Sequence, residues 1–307
     1  MIDISHYVQH IKKEKYTIFL FHGVIDKPCS GIRNYTKKHL LKKDFEKLLI
    51  NLKKIGKPIS LDEVINFHQE RVPLPDFSYS ITFDDGFENN FTIAKPILEK
   101  LSTPSTFYIS TNLIENNLMT WIDQIEYCID KVSNKSFKLP WDKKVFEITS
   151  NKSKIDFLNS IRKNVKSDPG KFAPQDIVKH IFDFSEVTMI ISNDGILDKK
   201  MNWQQVQQLH NHELFSVGGH SHNHVSLGLL KHNIMEKEIQ KSLEYLHNKA
   251  SISTPHYSYP EGQKIDFNSN VKRALENHDI KCCPSAINGI NDNILCSLFD
   301  LKRITVV

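Results

Sequence analysis

Cysteine is scarce and poorly placed for covalent or metal chemistry. The chain has Cys29, Cys128, Cys282, Cys283 and Cys296, an odd number without metal-ligand spacing, and the adjacent Cys282-Cys283 sits in an apolar run. That pattern argues against a disulfide framework or a cysteine-held metal and fits reduced, structural thiols. Long hydrophobic runs are also missing. The longest early one, Thr17-Ile18-Phe19-Leu20-Phe21, is far too short to cross a bilayer. Met1 to Tyr7 lacks a charged stretch followed by an apolar one, so no signal peptide is evident. The expectation is a cytoplasmic protein with no transmembrane segment, with contact at a membrane surface left open. Neither sign of charge dominates: 40 basic and 36 acidic residues give a net +4, too mild for a nucleic-acid partner. The lysines of the N-terminal part (Lys12, Lys13, Lys15, Lys37, Lys38, Lys42 and Lys43) favour a solvated surface over an anionic partner. No internal repeat is visible, and nothing in the sequence speaks to oligomeric state.

What is present is an ordinary globular composition, 39% hydrophobic and 25% charged over 307 residues, enough for one barrel-sized domain spanning 1–307. Tyr16–Phe21 reads as a buried strand. Residues 25–40 read as a polar loop, and Lys43–Leu52 as a helix ended by Gly56 and Pro58. Ser60-Leu61-Asp62-Glu63 has the form of a capping box. Tyr79–Phe83 and Ser105–Thr111 read as strands, with a helix from Asn89 to Leu101 between them. Helices are expected to open at Trp121 and Trp203 and to run from Ile234 to His247 and near 269–277. The later strands are expected at 256–259, 280–283 and 301–306. Residues 130–198 read as an insertion packed beside the core, built of a hairpin over 137–148 and amphipathic helices at 152–165 and 174–184, and placed to shape substrate access. Strands alternating with helices imply a parallel sheet with right-handed crossovers. About seven core strands point to a distorted, incomplete (β/α) barrel.

Two stretches carry chemistry. Ser80-Ile81-Thr82-Phe83-Asp84-Asp85-Gly86 reads as a buried strand that delivers two carboxylates into a tight loop. Alone, this is an ordinary Asp-Gly turn. Buried carboxylates nevertheless need a cation beside them. The second stretch is Gly219-His220-Ser221-His222-Asn223-His224. On a helical turn His220 and His224 share a face; on an extended chain all three histidines share a side, so the local geometry decides which pair binds. Together the two stretches make a His-His-carboxylate site, suited to zinc and other divalent first-row metals.

These motifs also resemble those of a known family. Thr82-Phe83-Asp84-Asp85-Gly86 resembles the first motif of the polysaccharide deacetylases, the NodB-homology carbohydrate esterases. His220-Ser221-His222-Asn223-His224 is similar to their His-Ser/Thr-x-x-His motif. Tyr257-Ser258-Tyr259-Pro260-Glu261-Gly262 is similar to their third motif, and His22-Gly23-Val24 to a segment that follows their first strand. The resemblance implies the same distorted barrel. It implies Asp85, His220 and His224 as ligands of a divalent metal, most often Zn2+, and Asp84 as the base that takes a proton from water. The backbone N–H of Glu261, after Pro260, would stabilise the oxyanion. Tyr259, Pro260 and Trp203 are candidates for the substrate pocket. The family often carries an arginine two residues before the proline, paired with the base; here that position is Ser258. The family's Leu-x-His motif, which supplies the catalytic acid, has no counterpart. His22 stands as the candidate acid and His256 as a structural residue. Independently of the family, His22, Asp84, Asp85, His220, His224 and the Pro260 loop all follow strands, and in a parallel barrel those ends share one face.

The function expected is removal of an N-acetyl group from an acetamido sugar, on a cytoplasmic nucleotide-linked, lipid-linked or short glycan precursor of a surface polysaccharide. The alternatives are a deformylase or an amidohydrolase on another small amide, and a non-catalytic glycan-binding protein that kept the metal site.

Overall fold

The computed structural model describes residues 2–167 and 173–307. A short helix α1 (Ile4–Val8) leads into β1 (Lys15–Phe21), followed by β2 (Gly23–Ile25), β3 (His39–Leu41), α2 (Lys42–Ile55), β4 (Lys57–Pro58), α3 (Leu61–Gln69) and β5 (Ser78–Phe83). Next come a π-helical turn at Asn90–Ala94, α4 (Lys95–Lys100), β6 (Ser105–Ile109), α5 (Thr111–Asn116) and α6 (Trp121–Lys131). The hairpin β7 (Lys135–Lys138) and β8 (Val145–Ile148) precedes α7 (Asn151–Ser167) and α8 (Pro174–Ser185). The chain continues through α9 (Trp203–His210), β9 (Phe215–Gly219), α10 (His232–Ala250), α11 (Ser269–Asn277), β10 (Asn291–Asp292) and β11 (Ile304–Thr305).

The central sheet has the order β10-β1-β5-β6-β9, with β11 beside β1 and β4 beside β5. Every pairing in it is parallel except β1 with β10. Past β9 the pairing thins to single parallel bridges, Gly219 with Tyr257 and His256 with Cys282. Backbone hydrogen bonds then run from Cys283 to Leu298 and from Arg303 to Ile287, and β11 returns to β1 at Phe19 and Leu20. The expected strands at 256–259 and 280–283 are therefore bridge-bearing segments rather than full ladders. Gly219 permits the close approach there, since a Cβ on it would stand 2.4 Å from the Tyr257 ring.

Both faces of the sheet are covered, which is why its strands read as nearly continuous apolar runs. Phe21, Phe83 and Phe107 lie in register on adjacent strands and stack at 5.4 and 4.9 Å between ring centroids. They point outward into the cluster that takes in Phe45, Leu48, Leu49 and Leu52 of α2. The alternate residues of the same strands point inward. Tyr16, Ile18 and Tyr108 meet Cys282 there, and Thr82 follows the same parity, which governs where Asp84 goes.

Some elements depart from expectation for local reasons. The helix expected from Asn89 to Leu101 is split, because Pro96 at the start of α4 has no N–H to donate; Lys95 N–H instead reaches Asn90 O in a π-helical turn. The strand expected over 105–111 stops at Ile109, and Ser110 becomes the first residue flanking α5. The polar loop at 25–40 is edged by the β2–β3 pair. Ser60 and Glu63 do form a reciprocal capping box. Within 130–198 the hairpin and helices build an apolar cluster of their own, including Phe137, Phe146, Phe157, Ile161 and Ile177, shared with Ile125 and Ile129 of α6. Positions 168–172 of that expected insertion lie outside the described residues. Among the described residues no helix is long and apolar enough to cross a membrane.

Candidate active site

The strand parity that turns Phe83 outward turns Thr82 and Asp84 inward. Asp85, next in the chain, takes a left-handed backbone, φ +73°, as does Gly86 at +67°. That reversal brings the Asp85 carboxylate over the end of the sheet. At the end of β9, His220 enters a loop in which Ser221 and His224 are also left-handed, both at φ +54°. The loop folds back so that His224 Nε2 stands 3.0 Å and His220 Nε2 3.6 Å from Asp85 Oδ1. The three donor atoms lie within 4.8 Å of one another. The histidine pair thus converges through a kinked loop, neither as a helical turn nor as an extended strand. His222 is turned away, its Nδ1 2.8 Å from Thr111 Oγ1. Non-glycine residues in this backbone region cost of the order of 1–3 kcal/mol each, and at Asp85, Ser221, His224 and Glu261 they gather at one place.

The donor set fits a divalent cation. His220 Nδ1 lies 3.0 Å from the Ser258 carbonyl, to which it donates, and 2.6 Å from Ser258 Oγ. That contact leaves the Nε2 lone pair directed at Asp85. Burial pushes the His220 pKa down to about 4, so the ring is neutral and ready to ligate at neutral pH. Burial also works against charge on His224, but Asp85 more than reverses this and raises its pKa. Asp85 itself is held well below the usual carboxylate range: burial opposes ionisation, and Lys38 and His224 overcome it. The two oxygens of Asp85 are divided, with Oδ1 toward the histidines and Oδ2 2.9 Å from Lys38 Nζ.

Asp84 stays out of this donor set. Fully buried Arg303 donates Nη1–H to Asp84 Oδ1 at 2.8 Å and Nη2–H to Oδ2 at 2.7 Å. Arg303 also reaches Thr82 Oγ1 at 3.3 Å and donates from Nε to Ser285 O at 2.6 Å. Burial raises the Asp84 pKa, and the Arg303 guanidinium more than offsets it, so the carboxyl titrates below its ordinary value. Arg303 therefore occupies the charge-pairing role that the family assigns to the position held here by Ser258. Sequence reasoning missed it. The available signal was an arginine inside the apolar run Leu301-Lys302-Arg303-Ile304, where an unpaired charge would be costly.

A cleft of about 290 Å³ opens over these groups, lined by His22, Lys38, Asp84, Asp85, His220, His224 and Glu261 and walled by Trp121 and Arg162. His22 follows β1, and its Nδ1 is buried with no hydrogen-bond partner among the described residues. Glu261 has φ +60° in a tight turn closed by Gly262 N–H to Pro260 O at 2.7 Å. Three other residues do not line the cleft. Tyr259 is turned into the core, stacked on Phe267 at 4.2 Å and bonded to Phe299 O. Pro260 is buried behind Glu261. Trp203 donates to Glu115 at 2.6 Å beside Tyr245. The aromatic wall is Trp121, at the start of α6. His256 pairs with Asp62 at 2.9 Å, outside the cleft lining. Lys38, expected on a solvated surface, is instead wedged between Asp85 and Asp123, 3.4 Å from the latter.

The structure is a mostly parallel α/β sheet with a His-His-carboxylate donor set and a separate ionised aspartate over its C-terminal edge, the face where parallel α/β folds carry their sites. The family model described as polysaccharide deacetylase matches residues 178–283, the stretch that holds His220, His224 and the Pro260 loop. Among solved structures the chain is similar to the Streptococcus pyogenes deacetylase PplD in complex with acetate, with TM-score 0.59, 15% identity, and coverage of 96% of this chain and 93% of that one. It is similar to IcaB from Ammonifex degensii, with TM-score 0.60, 13% identity and coverage of 97% and 94%. The deacetylase domain of BpsB from Bordetella bronchiseptica gives TM-score 0.55, 14% identity and coverage of 95% and 96%. These likenesses establish the fold. No curated protein sequence matches. The chain thus resembles the polysaccharide deacetylase family over residues 178–283 and shares the α/β fold of the solved NodB-type deacetylases over nearly its whole length.

Because Arg303 and Asp84 are buried together, removing one strands the other. Arg303→Met should lower unfolding stability by about 3–5 kcal/mol, and Arg303→Met combined with Asp84→Asn should recover part of that loss. Urea denaturation of the two single variants and the double variant measures the coupling. Strictly additive losses would show that the pair is not a unit.

Proposed function

We propose that the protein is a metal-dependent hydrolase that removes the N-acetyl group from an acetamido sugar. The observation that carries this reading is Asp84, a buried carboxylate kept ionised by Arg303 beside the Asp85, His220 and His224 donor set but not part of it. Binding alone does not need such a group; activation of water does. Two imidazoles and one carboxylate suit Zn2+. When bound, such an ion polarises the acetyl carbonyl and makes water more acidic. His220 and His224 would hold it through Nε2 and Asp85 through Oδ1, while Lys38 fixes the second Asp85 oxygen.

Around that centre the chain's own groups move the protons. Asp84 accepts the proton of the attacking water. The Glu261 N–H, which donates to no acceptor among the described residues, hydrogen-bonds the acetyl oxygen as charge develops on it. His22 gives a proton to the departing nitrogen. Burial lowers its pKa, and Asp85 and Asp84 only partly restore it, so the ring is mostly neutral at neutral pH and carries the proton it passes on only transiently. The cleft volume of about 290 Å³ lies at the small end of ligand pockets, which favours a nucleotide-linked, lipid-linked or short glycan over a long polymer held along its length. One solved relative was captured in complex with acetate, the acid that de-N-acetylation releases.

Asp84→Asn should keep about one divalent ion per chain and lose at least about 10²-fold in acetate release, the scale of a lost general base. Elemental analysis paired with an acetate assay checks both. A variant that stays metal-loaded and fully active would remove Asp84 from the mechanism. His22→Gln should slow release from an acetamido sugar by about 10²–10⁴-fold but barely affect an activated aryl acetate, whose leaving group needs no proton. Equal losses on amide and ester would rule out the acid role.

A further inference from the structure

Among the described residues that line the cleft, Arg162 is a cation that the deacetylation chemistry does not use. Arg162, on α7, lines the cleft together with Trp121, Glu261 and Gln263. Its Nε donates to Tyr35 Oη at 2.9 Å, and its guanidinium carbon lies 5.7 Å from the Tyr35 ring centroid. Tyr35 is braced in turn by Asn159 Oδ1 at 3.3 Å. One end of the guanidinium is therefore tied down, while Nη1 and Nη2 have no hydrogen-bond or carboxylate partner among the described residues. The other lysine or arginine among the described cleft-lining residues, Lys38, is already paired with Asp85 and Asp123. A guanidinium fixed at Nε with its two Nη groups free has the shape for bidentate recognition of an oxyanion. The Glu126 carboxylate is near enough to feel its charge, but no carboxylate stands within ion-pair distance of its Nη groups among the described residues, so an arriving anion would find them open.

We propose that Arg162 selects an acetamido sugar bearing an anionic oxyacid group, a phosphate or a carboxylate, on the same sugar or on the unit next to it. The inference rests on the deacetylase reading of this site and assigns its substrate class. The anion sits against α7 and Trp121, and the uncharged part of the glycan extends past Gln263, away from the Glu261 carboxylate. The insertion thereby supplies specificity, whereas the sheet ends supply the chemistry.

Binding tests this independently of turnover. N-acetylglucosamine, N-acetylglucosamine 1-phosphate and a disaccharide of N-acetylglucosamine with a uronic acid are titrated calorimetrically into the zinc-loaded wild type. At least one anionic ligand should bind about tenfold to a hundredfold tighter than the neutral sugar, the range of a charge-assisted bidentate contact, and which one does so identifies the anion's source. Arg162→Gln should abolish that preference, Arg162→Lys should keep part of it, and Lys163→Gln, on the exposed side of the same helix, should keep all of it. Equal wild-type affinity for the three ligands, or a preference that survives Arg162→Gln, overturns the proposal even if the protein deacetylates neutral sugars. A preference that vanishes with Arg162→Gln in a protein that releases no acetate from any of them upholds the anion site and defeats the deacetylase reading instead.

Discussion

The buried ion pair between Asp84 and Arg303 is the constraint on which the site depends. Each partner would be prohibitively costly alone in the interior, and both oxygens of the one meet two nitrogens of the other. The pair joins the end of β5 to the segment entering β11, so the charge on Asp84 also fastens the last part of the chain to the centre of the sheet. Thr82 Oγ1 and Ser285 O take up further Arg303 donors. With four hydrogen bonds to these partners, the guanidinium holds Asp84 ionised apart from the Asp85 and histidine donor set.

The division of labour between the adjacent aspartates follows from backbone geometry. Strand alternation sends Asp84 inward to Arg303, and the left-handed turn at Asp85 carries the next carboxylate to the other side, toward Lys38 and the histidines. Two carboxylates one residue apart thus see two different cations. Left-handed residues at Ser221 and His224 perform the corresponding turn in the histidine loop. The strain is local, and the covered sheet beneath, with Phe21, Phe83 and Phe107 stacked in register, is what makes it tolerable.

Much of this was legible in the sequence where the signal was local. The strand ending in Asp84-Asp85, the His220–His224 spacing, the Ser60–Glu63 capping box and the alternation of strands with helices each rest on contiguous residues. What escaped rests on long-range pairing. Arg303 lies 219 positions from Asp84, and a lysine-rich stretch gives no sign that Lys38 alone turns inward. Aromatic residues beside motifs were misleading for the same reason. Tyr259 and Trp203 have the composition of a pocket wall, but the side each faces is decided by packing against Phe267 and Tyr245, whereas Trp121 reaches the cleft. The segments at 256–259 and 280–283 read as regular strands, but each carries only an isolated bridge to its neighbour.

The central claim is that Asp85, His220 and His224 bind one divalent ion while Asp84 remains outside its coordination sphere, held by Arg303. Anomalous diffraction from zinc-loaded crystals, collected above and below the zinc absorption edge, tests it most directly. The account predicts a single strong peak bonded to Asp85 Oδ1 and to Nε2 of both histidines, with Asp84 still paired to Arg303. A peak that draws in Asp84 as a ligand, or that lies away from the two histidines, would contradict it.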